Sequence, residues 1–490
     1  MELRVLYNDI DPVPQEIKNV VNIECFGDLL FKKTKLSEFT IEIFREAGVK
    51  DVVRVQDIND YNRYKKRLIS DEDICRYLYM DSNIGILDRE SFIRFLNKVT
   101  CVNNPLVVRS THDNELLSLF VINREEMVDI IDIVSMENHR KTMLIIEKIQ
   151  RYERLSNEPY LIDISKYQNF IKFIHSSMEL RYFNVIEDDK YVISKKSEIK
   201  DKIKKEYLFY SFLPDNMKLY FVRPFEYFEE ENCSGYRLEK LNIANVAIQW
   251  IHNSFDVNDF SEMLEYLFHF ISIRENRLID YEIYEKGRQA LYVNKVDERI
   301  RSFKLDKNFK RIEALISMHT SYQSCDVIIK EYKKLFASIT NKIKGPYCHA
   351  VSHGDLCFSN ILYDKKTGML KLIDPRGALS KDNMFIDIYY DIAKLSHSIL
   401  GDYDFINSGM FEIKFDENLQ LYLDIDKPRI IDDLKKVFIS YLKKNQYSYE
   451  MVRLYEISLF ISMIPLHSDN PKKVLAFILN AIQFIEDLKK

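Results

Sequence analysis

Residues 353–374 read His353-Gly354-Asp355-Leu356-Cys357-Phe358-Ser359-Asn360-Ile361-Leu362-Tyr363-Asp364-Lys365-Lys366-Thr367-Gly368-Met369-Leu370-Lys371-Leu372-Ile373-Asp374, and Pro375 follows. Ile361-Leu362-Tyr363 is a short apolar strand. Asp364 to Gly368 is a polar turn ending in glycine, and Met369 to Ile373 is a second strand. The segment predicts a hairpin whose two ends meet, which sets Asn360 beside Asp374. One carboxylate, Asp355, is placed to accept a proton. An amide oxygen and a second carboxylate form a pair of hard oxygen ligands. Magnesium takes such ligands in a near-octahedral shell and keeps several waters, so two protein oxygens suffice where phosphates supply others.

Taken singly, each half has an ordinary reading. His-Gly-Asp is a surface turn, and Ile-Asp-Pro a strand exit with a helix-capping Asp. Joined by a hairpin at this spacing, they fit phosphoryl transfer better. Such a site needs a base for the attacking hydroxyl and two oxygen ligands that hold Mg²⁺ on the nucleotide phosphates.

With HGDxxxxN followed by IDP, the chain resembles the aminoglycoside phosphotransferase and choline kinase family, small-molecule kinases with a protein-kinase-like fold. The resemblance extends over residues 165–490 and leaves out the first 150. It implies a kinase-like N-lobe at 165–242 and a largely helical C-lobe with the catalytic loop at 243–490. It further implies Asp355 as catalytic base, Asn360 and Asp374 as Mg²⁺ ligands, and His353 as support for the loop. ATP or GTP would be the donor, and a hydroxyl of a small molecule such as a sugar or amino alcohol the acceptor.

Upstream, Tyr182 to Ile186 and Tyr191 to Lys195 are two β-rich runs around the polar turn Glu187-Asp188-Asp189-Lys190. By the resemblance this hairpin covers the nucleotide, and a lysine at its end binds the phosphates. Lys195 is the first candidate and Lys196 the second, because strand alternation sends them to opposite faces. A solvated lysine pair is the plain alternative. Ile199, Ile203, Tyr207 and Tyr210 recur at helical spacing, with Ser197 to cap the start and Pro214 to mark the stop. Glu206 on this helix is the acid placed to pair with the lysine, unless it faces solvent. Arg223 to Tyr227 and Tyr236 to Leu241 predict two further strands. The second leads into an interlobe hinge where backbone groups from Glu239 to Leu241 would meet the adenine edge.

Beyond the hinge, apolar stripes at helix period run over Asp259 to Arg274, Ile312 to Ile343 and Pro428 to Lys490. Phe385 to Leu395 predicts an amphipathic helix. The resemblance gives Asp391 on it the task of bracing the catalytic loop through backbone N–H groups. Arg376 follows Asp374 by two residues. Its guanidinium either binds a phosphate or carboxylate on the acceptor or pairs with an acid such as Asp387.

Composition sets the outer limits. A 490-residue chain has room for two or three domains, and 46% hydrophobic with 30% charged residues is a globular profile. A net charge of −5 carries no basic surplus, so nucleic acid is not an expected partner. No apolar run is long enough for a membrane span, and the first residues lack signal-peptide order. Seven scattered cysteines with no CxxC pair suit reduced thiols in a cytoplasmic protein. Cys357 is a packing residue on this reading. Only 11 glycines occur, and no P-loop, GxGxxG or GxSxG motif is present, so any phosphate grip is built without glycine.

Residues 1–150 predict a separate α/β domain. A helix over Leu36 to Ala47 leads through Gly48-Val49-Lys50-Asp51 into a strand at Val52 to Val55. The stretch Ala47 to Val55 loosely resembles a sugar nucleotidyltransferase, but the glycine-rich nucleotide loop of that family is missing. The expectation is a degenerate relative without nucleotidyl transfer, holding an acceptor or partner. Such a fusion would suit surface-polysaccharide assembly. Two functions compete: an active small-molecule kinase, or a nucleotide-binding pseudokinase serving as a scaffold. Asp355, Asn360 and Asp374 are all present, which favours the first.

Overall fold

The computed structural model of the chain describes residues 2–70, 73, 75–110, 115–136, 141–156, 160–176, 184–188 and 191–490. It divides into two units, Met1–Glu179 and Leu180–Lys490.

The first unit is built on a six-stranded mixed sheet. Its strand order is Asp51–Val55, Glu2–Asn8, Cys75–Asp81, Leu116–Ile122, Leu106–Arg109, Glu153–Ser156. The first three run parallel, and Leu116–Ile122 joins antiparallel to Cys75–Asp81. Leu3 to Asn8 are buried on both faces of the sheet, as a central parallel strand requires. The helices Leu36–Glu46 and Ile58–Ser70 supply the crossover connections.

This unit runs further than residue 150. Leu161–Asp163 pairs antiparallel with Ile84–Ile86, and the Tyr167–Ser176 helix stacks Phe173 on Phe31 with ring centroids 4.3 Å apart. The expected start of a kinase-like lobe at 165 therefore falls inside the first unit. Local periodicity cannot reveal a pairing partner so distant in sequence. A consequence is measurable. A fragment starting at Leu180 should melt cooperatively. One starting at Ser165 should aggregate, because it exposes Phe170, Ile171, Phe173 and Ile174, all buried here, at about 1.5–3 kcal/mol for each large side chain. Size-exclusion profiles and melts of the two fragments check this.

The second unit opens with a four-stranded antiparallel sheet ordered Asn184–Asp188, Val192–Ser197, Ser234–Glu239, Pro224–Glu229. The expected strand Tyr182 to Ile186 and its turn lie partly outside the described residues. The Lys200–Phe212 helix packs on the sheet, and Ser197 Oγ accepts the Ile199 N–H at 3.2 Å just before it. Helices dominate the rest, and the long expected stripes are broken by caps. Ser324 accepts from Val327 N–H at the start of Cys325–Thr340, after the separate Phe309–His319 helix. Ser448 and Asn470 likewise begin Tyr449–Met463 and Pro471–Lys489, which follow Ile430–Lys444. No described helix is long and apolar enough to cross a membrane.

Two elements position the site. Ile361–Asp364 pairs with Met369–Leu372 as a hairpin, Ile361 opposite Leu372. The segment expected as one helix from Phe385 is instead a strand, Phe385–Asp387, paired with Cys348–Val351, followed by the Tyr390–Ile399 helix. The change of state occurs where Asp387 Oδ1 accepts the Tyr389 N–H at 2.8 Å, a local bond that competes with a continuous helix.

Candidate active site

Lys195 lies opposite Tyr236 in the sheet and is only 3% exposed. Its Nζ donates to Glu206 Oε2 at 2.7 Å and to Asp374 Oδ1 at 2.9 Å. The Tyr236 hydroxyl donates to the same Glu206 oxygen at 3.2 Å. Burial works against the Lys195 charge, but Asp374, Tyr236 and Glu206 together hold its pKa well above the usual lysine value. For Asp374, burial is again the largest influence, and the Lys195 ammonium outweighs it to leave the carboxyl below its usual range. Lys196 takes the opposite face, its Nζ 5.8 Å from the centroid of the Phe228 ring.

The loop after Asp374 is pressed onto the helix that carries Glu206. Ala378 N–H donates to Lys205 O at 3.0 Å. Gly377 adopts φ +84°, and a Cβ there would stand 2.7 Å from the Glu206 backbone nitrogen. Only glycine permits both the turn and the approach.

Asp355 and Asn360 are held together by the short Phe358–Asn360 helical turn between them. Asn360 Nδ2 donates to Asp355 O at 2.9 Å and to Asp355 Oδ2 at 3.3 Å. At the hairpin's open end, Ile373 N–H donates to Asn360 O at 3.0 Å, which brings Asp374 next to Asn360. His353 ties the same two segments. Its Nδ1 accepts from Asp355 N–H at 3.2 Å and its Nε2 donates to Ile373 O at 2.9 Å. That bonding requires the neutral ring, and burial lowers the His353 pKa accordingly.

Asp391 braces the loop from the Tyr390–Ile399 helix. Its two oxygens accept His353 N–H at 2.9 Å and Gly354 N–H at 2.8 Å. Arg274, 3% exposed, donates to the same carboxylate at 3.2 Å and to Ile388 O at 3.1 Å. Sequence reading missed Arg274, which stands at the end of an amphipathic stripe where a solvated cation is the ordinary reading. It also missed Lys394, one turn beyond Asp391, whose Nζ lies 2.8 Å from Asp355 Oδ1.

Three of the residues singled out by sequence stand as follows. Glu239 ends a sheet strand, donates its N–H to Arg223 O at 3.3 Å and accepts the Arg223 N–H on its side chain at 3.1 Å. Its N–H and its side chain are thereby engaged within the sheet. Arg376 does not pair with Asp387. It is exposed, its stem against Gly354, with no ion pair among the described residues, whereas Asp387 is fully buried. Cys357 is a buried free thiol whose pKa burial pushes up to about 12, so it is an inert packing group. Beside the hinge, Val222, Ile243 and Leu362 form a small apolar cluster with Leu238, Leu241 and Ile373 packed against it.

Compared by sequence, the chain matches no protein-family model and no curated protein. Compared by structure, it is similar to an aminoglycoside-3'-phosphotransferase of type VIII, with 15% identity and a TM-score of 0.33 over 55% of this chain and 84% of that one. It is also similar to a thermostable mutant of aminoglycoside phosphotransferase APH(4)-Ia in complex with AMP-PNP and hygromycin B. There the identity is 9% and the TM-score 0.37, over 63% of this chain and 92% of the other. A third is APH(3'')-Id from Streptomyces rimosus with ADP and streptomycin, at 12% identity and TM-score 0.30 over 57% and 92%. These TM-scores are all below 0.5.

Proposed function

We propose that the Leu180–Lys490 unit is a phosphotransferase that moves the terminal phosphoryl group of a nucleoside triphosphate to a hydroxyl of a small molecule, a sugar or an amino alcohol. One observation carries this reading. Lys195 bridges a helix carboxylate and Asp374, while Asp355, Asn360 and the strand leading to Asp374 are bonded into one loop. That combination of a lysine–glutamate pair, a base, and amide and carboxylate ligands is what phosphoryl transfer of the kinase type requires.

Asp355 is the group that accepts the hydroxyl proton. Lys195 binds the donor's phosphates, and the apolar patch of Val222, Leu238, Ile243 and Leu362 receives its base, with Leu241 at the hinge. Arg376, exposed beside Gly354 and without an ion pair among the described residues, is available to an anionic group on donor or acceptor. The residues fit a magnesium ion. Asn360 donates twice through Nδ2, which leaves Oδ1 without a partner among the described residues, and Lys195 engages only one oxygen of Asp374. When bound, the metal neutralises charge on the phosphates.

For the Met1–Glu179 unit we propose no nucleotidyl transfer. The backbone N–H of Gly27 is taken by Asp9 at 2.9 Å, and Asp9 is itself paired to Arg54 at 2.6 Å. A carboxylate of the protein thus occupies the donor that an anion would need. Gly85 is covered by the Phe173 ring, at 2.7 Å from where a side chain would begin.

The deciding experiment assays the whole protein with Mg-ATP and Mg-GTP against sugars, amino alcohols and aminoglycosides. Acceptor-dependent release of the nucleoside diphosphate supports the kinase. Tight nucleotide binding without turnover on any acceptor supports the scaffold alternative, and absence of both sinks the reading. Within it, Lys195→Ala should lower turnover by about 10²–10³-fold, the usual cost of one preorganised donor. Lys196→Ala should change stability and activity by no more than about 0.5 kcal/mol. Parallel steady-state rates for the two variants separate these outcomes.

A further inference from the structure

The loop His353 to Asn360 contains no lysine or arginine. Lys195 already serves Glu206 and Asp374, on the donor side of the site. A phosphoryl group in transit spreads negative charge over its equatorial oxygens, and sites of this type meet that charge with fixed cations. The cation paired with Asp355 itself is Lys394. Its Nζ is 2.8 Å from Asp355 Oδ1, and its side chain is 15% exposed while that of Asp355 is 41% exposed. The ammonium therefore lies at the edge of the open side of the base rather than on the protein surface.

The surroundings hold it there. Asp391 and Lys394 lie one turn apart on the same helix, so the residue that braces the loop and the one that reaches the base share a rigid support. Burial alone would discharge Lys394, but the Asp355 carboxylate 2.8 Å away keeps it protonated. His397, one further turn along, is held neutral by burial and by the Lys394 charge, and neither ring nitrogen has a hydrogen-bond partner among the described residues. Tyr403 stacks on that ring at 4.3 Å. None of these neighbours is a second carboxylate that would draw the ammonium away from Asp355.

We propose that Lys394 is a catalytic residue that binds the phosphoryl group as it moves. This rests on the phosphotransferase reading above. The acceptor oxygen bonds to the γ-phosphorus as the bond from that phosphorus to the β–γ bridging oxygen breaks. The hydroxyl proton passes to Asp355 and the nucleoside diphosphate leaves. Lys394 stays protonated throughout and donates an N–H to an oxygen of the transferring group.

The test uses Mg-ADP with and without aluminium fluoride, which mimics the phosphoryl group in flight. Wild-type protein should bind Mg-ADP more tightly with the fluoride, by about 10²-fold or more, as transition-state mimics do. Lys394→Met should bind Mg-ADP like the wild type but lose that gain. It should also lower the kcat of Mg-ATP hydrolysis by about 10²–10³-fold with little change in KM. Lys394→Arg should restore part of both. Lys394→Gln gives the same readout should the methionine variant not melt cooperatively. Full retention of the fluoride gain in the neutral variants overturns the proposal, as does an arginine variant no better than they are. Wild-type protein that binds no Mg-ADP removes the phosphotransferase reading itself.

Discussion

Asp355→Asn is expected to leave the fold and Mg-nucleotide binding in place while turnover falls by about 10²–10⁴-fold, the span that general-base catalysis contributes. The asparagine side chain has nearly the same shape, and Asn360 still donates to the backbone oxygen of residue 355 at 2.9 Å. What disappears is a carboxylate able to take the hydroxyl proton, together with the anion that holds the Lys394 ammonium at 2.8 Å. Steady-state rates beside nucleotide titrations make the comparison. Turnover close to that of the wild type would strip Asp355 of the role of base.

The second large effect is on stability. Arg274→Met should destabilise the Leu180–Lys490 unit by about 3–5 kcal/mol, the cost of breaking a buried ion pair by deleting one partner. The Asp391 carboxylate is fully buried and would keep only its two backbone donors, at 2.9 and 2.8 Å. Methionine matches the stem but brings no donor for Asp391 or for Ile388 O. Urea unfolding of wild type and variant measures the loss, and a midpoint shift worth less than about 1 kcal/mol would show that water compensates the carboxylate. Amide exchange at His353 and Gly354 should accelerate in the same variant, because their N–H groups end on that carboxylate.

Much of the loop and hairpin from His353 to Asp374 could be read in advance because its geometry is local. The hairpin from Ile361 to Leu372 is set by a turn with its own residue signals, so the approach of Asn360 and Asp374 follows from sequence order. Glu206 was legible for a similar reason, one helix turn from residues at regular spacing. The choice between Lys195 and Lys196 was not, since the face of a strand depends on its register with a partner. Here that partner is Ser234–Glu239, and Lys195 stands opposite Tyr236. Arg274 and Lys394 were invisible for a different reason. Each sits on a helix whose pattern is satisfied by a solvated cation, and only the packing of distant segments turns it inward. The strand expected to reach Leu241 ends at Glu239, a boundary that local pattern does not fix. The end of the first unit failed because Leu161–Asp163 finds its partner at Ile84–Ile86.

The Lys195 bridge also bears on how a donor would be admitted. Glu206 and Asp374 face the Lys195 ammonium there, with Lys202 3.6 Å from Glu206, and Asp355 pairs with Lys394 across the loop. In the resting protein Lys195 is committed to both carboxylates. A bare triphosphate that drew Lys195 to its phosphates would leave Asp374 facing them without that ammonium. The same molecule arriving already complexed to a divalent cation brings with it the positive charge that Asp374 lacks once Lys195 turns to the phosphates. Asp374 would thus favour the metal-bound form of a nucleotide over the free one.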